Sequence, residues 1–233
     1  MSLTKFPHPD ELQSLIIRAG AEKLNSVLLD EKGQLKLLPA AEWDTFYKPA
    51  VRLWCHTNAR YGLPTTELVG WLIGLIGKRS AIEIGSGAGD LAYHLGIRGT
   101  DNLMQMDPKF KIGGVSVRDA YLNMGQPVIK YPSWIEQLDA VEAVNKYKPE
   151  VVVASWVTQW IDPNLPPPPG GGNIHGVKED RILNLVKTYV VIGNRKIHGS
   201  KKILERPHSE YPLPFIRSRA SCPEDDVVYV WSR

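Results

Sequence analysis

The stretch Ser80-Ala81-Ile82-Glu83-Ile84-Gly85-Ser86-Gly87-Ala88-Gly89-Asp90 constrains this chain more than any other. Ala81, Ile82 and Ile84 make the short apolar run of a buried strand. Gly85, Gly87 and Gly89 alternate after it and give a sharp turn where the main chain can approach a ligand with no side chain between. Leu91, Ala92 and Leu95 then mark one face of an amphipathic helix. Strand, glycine turn and helix in that order open a nucleotide-binding βαβ unit.

The chemistry of the turn narrows the ligand. A dinucleotide fingerprint places a third glycine at its sixth position, where this chain has Asp90. A carboxylate there competes with a pyrophosphate for the same N–H groups and the positive end of the helix dipole. Glu83 adds a second carboxylate at the end of the strand. A ligand without phosphate and with positive charge fits such a turn, and S-adenosylmethionine, with its sulfonium and ammonium groups, is one. Two plainer readings stand beside this: a simple tight turn, and an Asp90 that only stabilises the first helical turn.

Glu83-x-Gly85-x-Gly87-x-Gly89 resembles the first motif of the class I S-adenosylmethionine-dependent methyltransferases. The resemblance extends to Asn102-Leu-Met-Gln-Met-Asp107-Pro108, read as a second strand ending in an acid near the ~20-residue offset of a ribose-binding carboxylate. The plainer alternative for Asp107 is an ordinary turn acid before Pro108. The specific motifs cover residues 63–160, and the flanks match only in strand order.

The family likeness implies an α/β fold, doubly wound around a mostly parallel seven-stranded sheet of order 3-2-1-4-5-7-6 with the last strand antiparallel. It implies S-adenosylmethionine as cofactor. Asp107 would take the ribose hydroxyls, with Pro108 or Lys109 near the adenine and Ser133 and Trp134 as further adenine contacts. Glu83, Gly85, Ser86, Gly87 and Gly89 would border the methionine end, and Ser155 and Trp156 would follow the fourth strand beside the reacting centre.

The rest of the chain supplies further elements. Residues 10–24, 42–58 and 65–76 have helical spacing, with Pro49 near a helix start and Thr65 as a cap. Too much helix precedes the first strand for a bare nucleotide-binding start, so residues 1–78 are expected as a helical cap and 79–233 as the Rossmann-like domain. Pro127–Tyr131 reads as the third strand, Trp134–Tyr147 as a helix, and Glu150–Ser155 as the clearest strand, β-branched and uncharged inside. Residues 166–172, four prolines and three glycines, form a loop with one stiff and one hinged half. A helix over 177–186 and a strand over 188–192 follow, and 215–219 pairs with 226–231 as an expected hairpin.

After the fourth strand the chain reads Ser155-Trp156-Val157-Thr158 where nucleic-acid amino-methyltransferases have Asp/Asn-Pro-Pro-aromatic. That departure argues against a nucleic-acid substrate, as does a net charge of only +3 with dispersed basic residues. Trp156 and Trp160 either bracket a substrate, where ring faces favour a cation, or pack in the core. His175 and His198 are candidate general bases, though each reads first as a surface histidine and neither is named the catalytic base.

Two cysteines exclude a disulfide framework and a Cys-rich zinc site, so no metal is expected and a reducing, cytoplasmic setting is. No signal-peptide pattern stands at the N-terminus. The longest apolar run, 68–76, falls short of the ~20 residues of a membrane span. The sequence therefore predicts methyl transfer to a small molecule or a protein side chain, with a non-catalytic binding or scaffold module of the same fold as the alternative.

Overall fold

Seven strands lie in one sheet in the computed structural model, which describes residues 9–166 and 172–233. In chain order they are β1 (Ala81–Ile84), β2 (Arg98–Asp101), β3 (Glu136–Gln137), β4 (Val151–Ser155), β5 (Thr188–Asn194), β6 (Ser209–Tyr211) and β7 (Asp226–Ser232). Their spatial order is β3-β2-β1-β4-β5-β7-β6. Strands β1 to β5 pair in parallel, and β7 runs antiparallel to both β5 and β6. This is the doubly wound, mostly parallel α/β sheet that the sequence predicts.

Helices cover both faces, which is why β4 and β5 read as unbroken apolar runs rather than alternating ones. On one face α7 (Ala140–Tyr147) and α8 (Glu179–Leu185), which follow α6 (Val117–Asn123) in the chain, bury Val144 and Ile182 against Val152, Ala154, Tyr189 and Val191. On the other, α4 (Thr66–Ile76) and α5 (Asp90–Leu95) bury Leu68, Leu72 and Leu91 against Val151, Val153, Val190 and Ile192. Each such side chain contributes about 1.5–3 kcal/mol by leaving water. Thr65 caps α4 by accepting from the Leu68 N–H at 3.1 Å, as its position before the apolar run requires.

The remaining N-terminal helices, α1 (Pro9–Leu28), α2 (Ala40–Trp43) and α3 (Lys48–Thr57), build a separate cluster around Leu24, Leu28, Leu35, Trp43 and Trp54. Pro49 lies in the first turn of α3, where its missing N–H costs nothing. Within residues 1–78, α4 thus packs on the sheet while α1–α3 form a cluster of their own. Three ties join that cluster to the glycine turn: Asp90 accepts from the Leu35 N–H at 2.9 Å, pairs with Arg60 at 2.8 Å, and lies beside His94, whose Nε2 meets the Leu35 carbonyl. Gly62–Leu63 also pairs antiparallel with Arg217–Ser218.

Several expected elements shift. The second strand ends at Asp101, not Asp107, because α5 is only six residues long and stops at Gly96 in the left-handed conformation. Residues 127–131 form no strand; the pairing with β2 is made by Glu136 and Gln137. Helix α7 begins at Ala140 rather than Trp134, where Asp139 and Glu142 form a capping box. The expected 215–219 hairpin is replaced by Ser209–Tyr211, which pairs with β7. The loop expected over 166–172 lies, from 167 to 171, outside the described residues. Among the described residues, no helix is long and apolar enough to cross a membrane.

Candidate functional site

The carboxyl ends of β1 to β4 open on one cleft, at the point where the strand order reverses. Gly85, Gly87 and Gly89 all hold positive φ (59°, 54° and 78°), so the turn needs the conformation its glycines permit. A Cβ on Gly85 would come within 2.7 Å of Val157, so the turn and the segment after β4 close together into a floor. The Ser86 hydroxyl donates to the Glu83 carbonyl at 3.2 Å and accepts from the Thr100 N–H at 3.1 Å, fixing the turn to β2.

Asp101, the last residue of β2, is the acid at the centre of the cleft. Its Oδ2 accepts from the Gly87 N–H at 3.0 Å and its Oδ1 from the Leu103 N–H at 2.8 Å. Burial raises its carboxyl above the usual range, while those two N–H groups pull the other way. Each oxygen keeps acceptor capacity for a ligand hydroxyl.

The other charges of the cleft are largely spent. Glu83 is buried and accepts from the Ala92 N–H at 2.9 Å; burial pushes its carboxyl up to about 8, so it is protonated at neutral pH. Asp90 does not face a ligand alone, since Arg60 and the Leu35 N–H take its oxygens. Arg217, also on the cleft wall, pairs with Asp44 at 2.6 Å. Among the described residues, both guanidiniums of the cleft therefore hold carboxylates, and the Gly87 N–H is taken by Asp101. These groups are not left over for a pyrophosphate.

Of the residues expected at the site, Glu83, Gly85, Ser86, Gly87, Ser155 and Trp156 line the cleft. Gly89 stands behind it, packed so closely against Trp134 that a Cβ would come within 2.5 Å of that ring. Trp134 consequently lies on the outer side of the turn, 41% exposed, and Ser133 is exposed as well; neither lines the cleft. Asp107 and Pro108 are also off the cleft. Asp107 sits in a turn, bound to Lys109 and to Gln137 Nε2 at 2.9 Å each, and Lys109 holds its carboxyl below the usual range. The cleft's acid at the end of β2 is Asp101 and not Asp107, and the residues that line the cleft after β3 are Leu138 and Asp139.

The signal for Asp101 was present in Gly96-Ile97-Arg98-Gly99-Thr100-Asp101, a glycine stop followed by a short strand. The apolar Leu103–Met106 stretch outcompetes it on hydropathy, yet Leu103 has φ 55° and Met106 is 57% exposed. Gln105, Tyr121 and Tyr131 complete the wall and carried no motif; Gln105 accepts the Ile129 N–H at 2.8 Å.

Beyond β4, Trp156 takes φ 56°, its N–H bonded to the Ile192 carbonyl at 2.9 Å. Non-glycine residues held there mark a constrained position. Its ring lies 6.3 Å from that of Tyr61 and 5.0 Å from that of His198. Trp160 does not bracket the cleft with it: it is 37% exposed, with Lys178 Nζ over its ring at 5.2 Å. His175 does line the cleft, its Nε2 bonded to the Lys111 carbonyl at 2.9 Å. His198 is buried, and its Nδ1 accepts from the Asn194 N–H at 2.9 Å, which leaves the proton on Nε2. Burial, helped by Lys201, pushes its pKa down to about 4. His198 is thus a neutral donor at pH 7, not the general base its position suggested.

No protein-family model matches the chain, and no curated protein matches it. A solved structure, that of Thermoplasma acidophilum 1320, is 16% identical over an alignment covering 69% of this chain and 80% of that one, with a TM-score of 0.31. A likeness at that level carries no argument about function.

Proposed function

We propose that this chain binds S-adenosylmethionine in the cleft above β1 to β4 and transfers its methyl group to a small molecule or a protein side chain. The observation that carries this reading is Asp101. It is a buried carboxylate locked onto the glycine turn by the Gly87 N–H, in a cleft whose guanidiniums are already ion-paired. That combination suits ribose hydroxyls and a ligand without phosphate.

In this reading Asp101 holds the ribose, Leu138 and Asp139 border the adenine, and the turn from Gly85 to Gly87, with Glu83 beneath it, borders the methionine end. When bound, S-adenosylmethionine supplies an electrophilic methyl on a positively charged sulfur. Trp156 and Tyr61 offer aromatic faces, which favour cationic charge and exclude water. Alignment of an acceptor with that methyl is the main demand on the protein.

Calorimetric titration with S-adenosylmethionine, S-adenosylhomocysteine and NAD tests the proposal. Saturable binding of the first two, with NAD weaker, is expected. NAD binding more tightly, or no binding by either S-adenosyl compound, ends it. Binding without methyl turnover on a cell extract would favour the non-catalytic module instead.

A further inference from the structure

A second cavity, of about 410 Å³, lies on the far side of Trp156. Tyr61, Trp156, Val157 and Thr158 line both spaces, so these residues form a shared wall. The charges on the two sides differ. The first cleft carries Asp101 and Asp139, a protonated Glu83, and Asp90, Arg60 and Arg217, all three held in ion pairs. Among the described residues, the second is lined by no carboxylate at all, but by Arg52, Arg219, His198 and Lys201.

The state of each donor matters more than the count. Lys201 is already neutralised: its Nζ, buried, binds Glu179 at 2.9 Å and the Val157 carbonyl at 3.0 Å. Arg219 is different. Its guanidinium lies 3.7 Å over the Tyr61 ring, and its Nη1 is buried with no hydrogen-bond partner among the described residues. A buried charged donor left unmade is costly, and a ligand acceptor would relieve it. Arg52 projects from α3 as an exposed side chain on the same cavity. His198, with Nδ1 occupied by a main-chain N–H, has its proton on Nε2 and can only donate.

We infer that this second cavity is a binding site for the anionic group, carboxylate or phosphate, of a small molecule, held chiefly by Arg219 and Arg52. A guanidinium fork matches either oxyanion. Resting on the methyltransferase reading, this makes the methyl acceptor a small organic acid. Its anionic end sits among the arginines, and its body runs along the Tyr61–Trp156 wall toward the first cleft.

The test titrates benzoate and phenyl phosphate, with benzamide as the neutral control, in the presence and absence of S-adenosylhomocysteine. Wild type, Arg219→Gln and Arg52→Gln are compared. At least one anion is expected to bind about tenfold more tightly than benzamide. Arg219→Gln should remove about tenfold of that affinity, while S-adenosylhomocysteine binding stays unchanged. Because Arg219 also stacks on Tyr61, the exposed Arg52→Gln serves as the variant that spares the fold, with a loss of about threefold. Benzamide binding as well as the anions, or both variants binding them like wild type, overturns the inference. S-adenosylhomocysteine binding without any anion preference overturns it too and leaves the methyltransferase reading standing. Anion binding in a chain that takes no S-adenosylhomocysteine supports this site and sinks that reading. Whichever anion binds more tightly identifies the oxyanion.

Discussion

Replacing Asp101 by Asn separates the cleft's central acid from the surface acid that the sequence pattern favours. Each Asp101 oxygen accepts one buried main-chain N–H, from Gly87 at 3.0 Å and Leu103 at 2.8 Å. An asparagine offers one carbonyl oxygen, so in either orientation one of these donors faces an NH2 group. An unsatisfied buried donor costs about 1–3 kcal/mol, and relief of the burial cost of the charge offsets part of it. A net loss of about 2 kcal/mol, at about 2–4 °C per kcal/mol for a chain of this size, lowers the melting temperature by about 4–8 °C.

The effect on ligand affinity is larger. Losing the charge and one acceptor toward two ribose hydroxyls removes about 3 kcal/mol, on the order of a hundredfold in Kd. Asp107→Ala is the control. Asp107 is tied only to Lys109 and Gln137 at the surface, so both its melting temperature and its S-adenosylhomocysteine affinity should equal wild type. Thermal melts and calorimetry on the two variants decide the matter. An Asp107→Ala that weakens binding while Asp101→Asn does not would refute the reasoning.

Further outcomes follow from the same geometry. Burial raises the Glu83 carboxyl from 4.5 to about 8, so the stability from its protonated form is full below pH 4.5 and is lost as pH rises through about 8. Melts between pH 5 and 9 should fall by an amount on the order of a few kcal/mol, and Glu83→Gln should flatten the profile. Lys201→Met strands Glu179 in the interior and should cost about 3–5 kcal/mol by chemical denaturation, with Glu179→Leu in the same chain recovering most of it. Gly85→Ala meets Val157 at 2.7 Å and keeps φ 59°, so denaturation should read a loss of about 1–3 kcal/mol along with weaker ligand binding. Trp134→Ala should leave S-adenosylhomocysteine affinity unchanged by calorimetry, because that ring packs on the outside of Gly89.

The sheet was legible because its central strands are covered on both faces and must therefore be apolar throughout: Val151–Ala154 and Tyr189–Ile192 admit no other reading. The glycine turn was legible because positive φ at three alternate residues leaves few substitutes. Short elements were not. Strand β3 has only two residues, Glu136 and Gln137, neither hydrophobic, so nothing in their chemistry announces a strand; pairing with Thr100 and Asp101 creates it. Asp101 has no apolar signal for a related reason, since the four-residue strand it ends carries Arg98, Gly99 and Thr100 before it and no apolar run. Asp90 read as an electrostatic filter against phosphate, but its charge is cancelled by Arg60, thirty positions earlier in the chain, a partnership only the fold reveals. The second cavity gathers Arg52 with Arg219 across most of the sequence and carries no local motif.

A crystal structure of the chain soaked with S-adenosylhomocysteine tests the central claim most directly. The account predicts the ribose hydroxyls within hydrogen-bond distance of both Asp101 oxygens, with the sulfur facing the Tyr61–Trp156 wall. A ribose held by Asp107, or a ligand seated elsewhere with the Gly85–Gly87 turn bare, would contradict it.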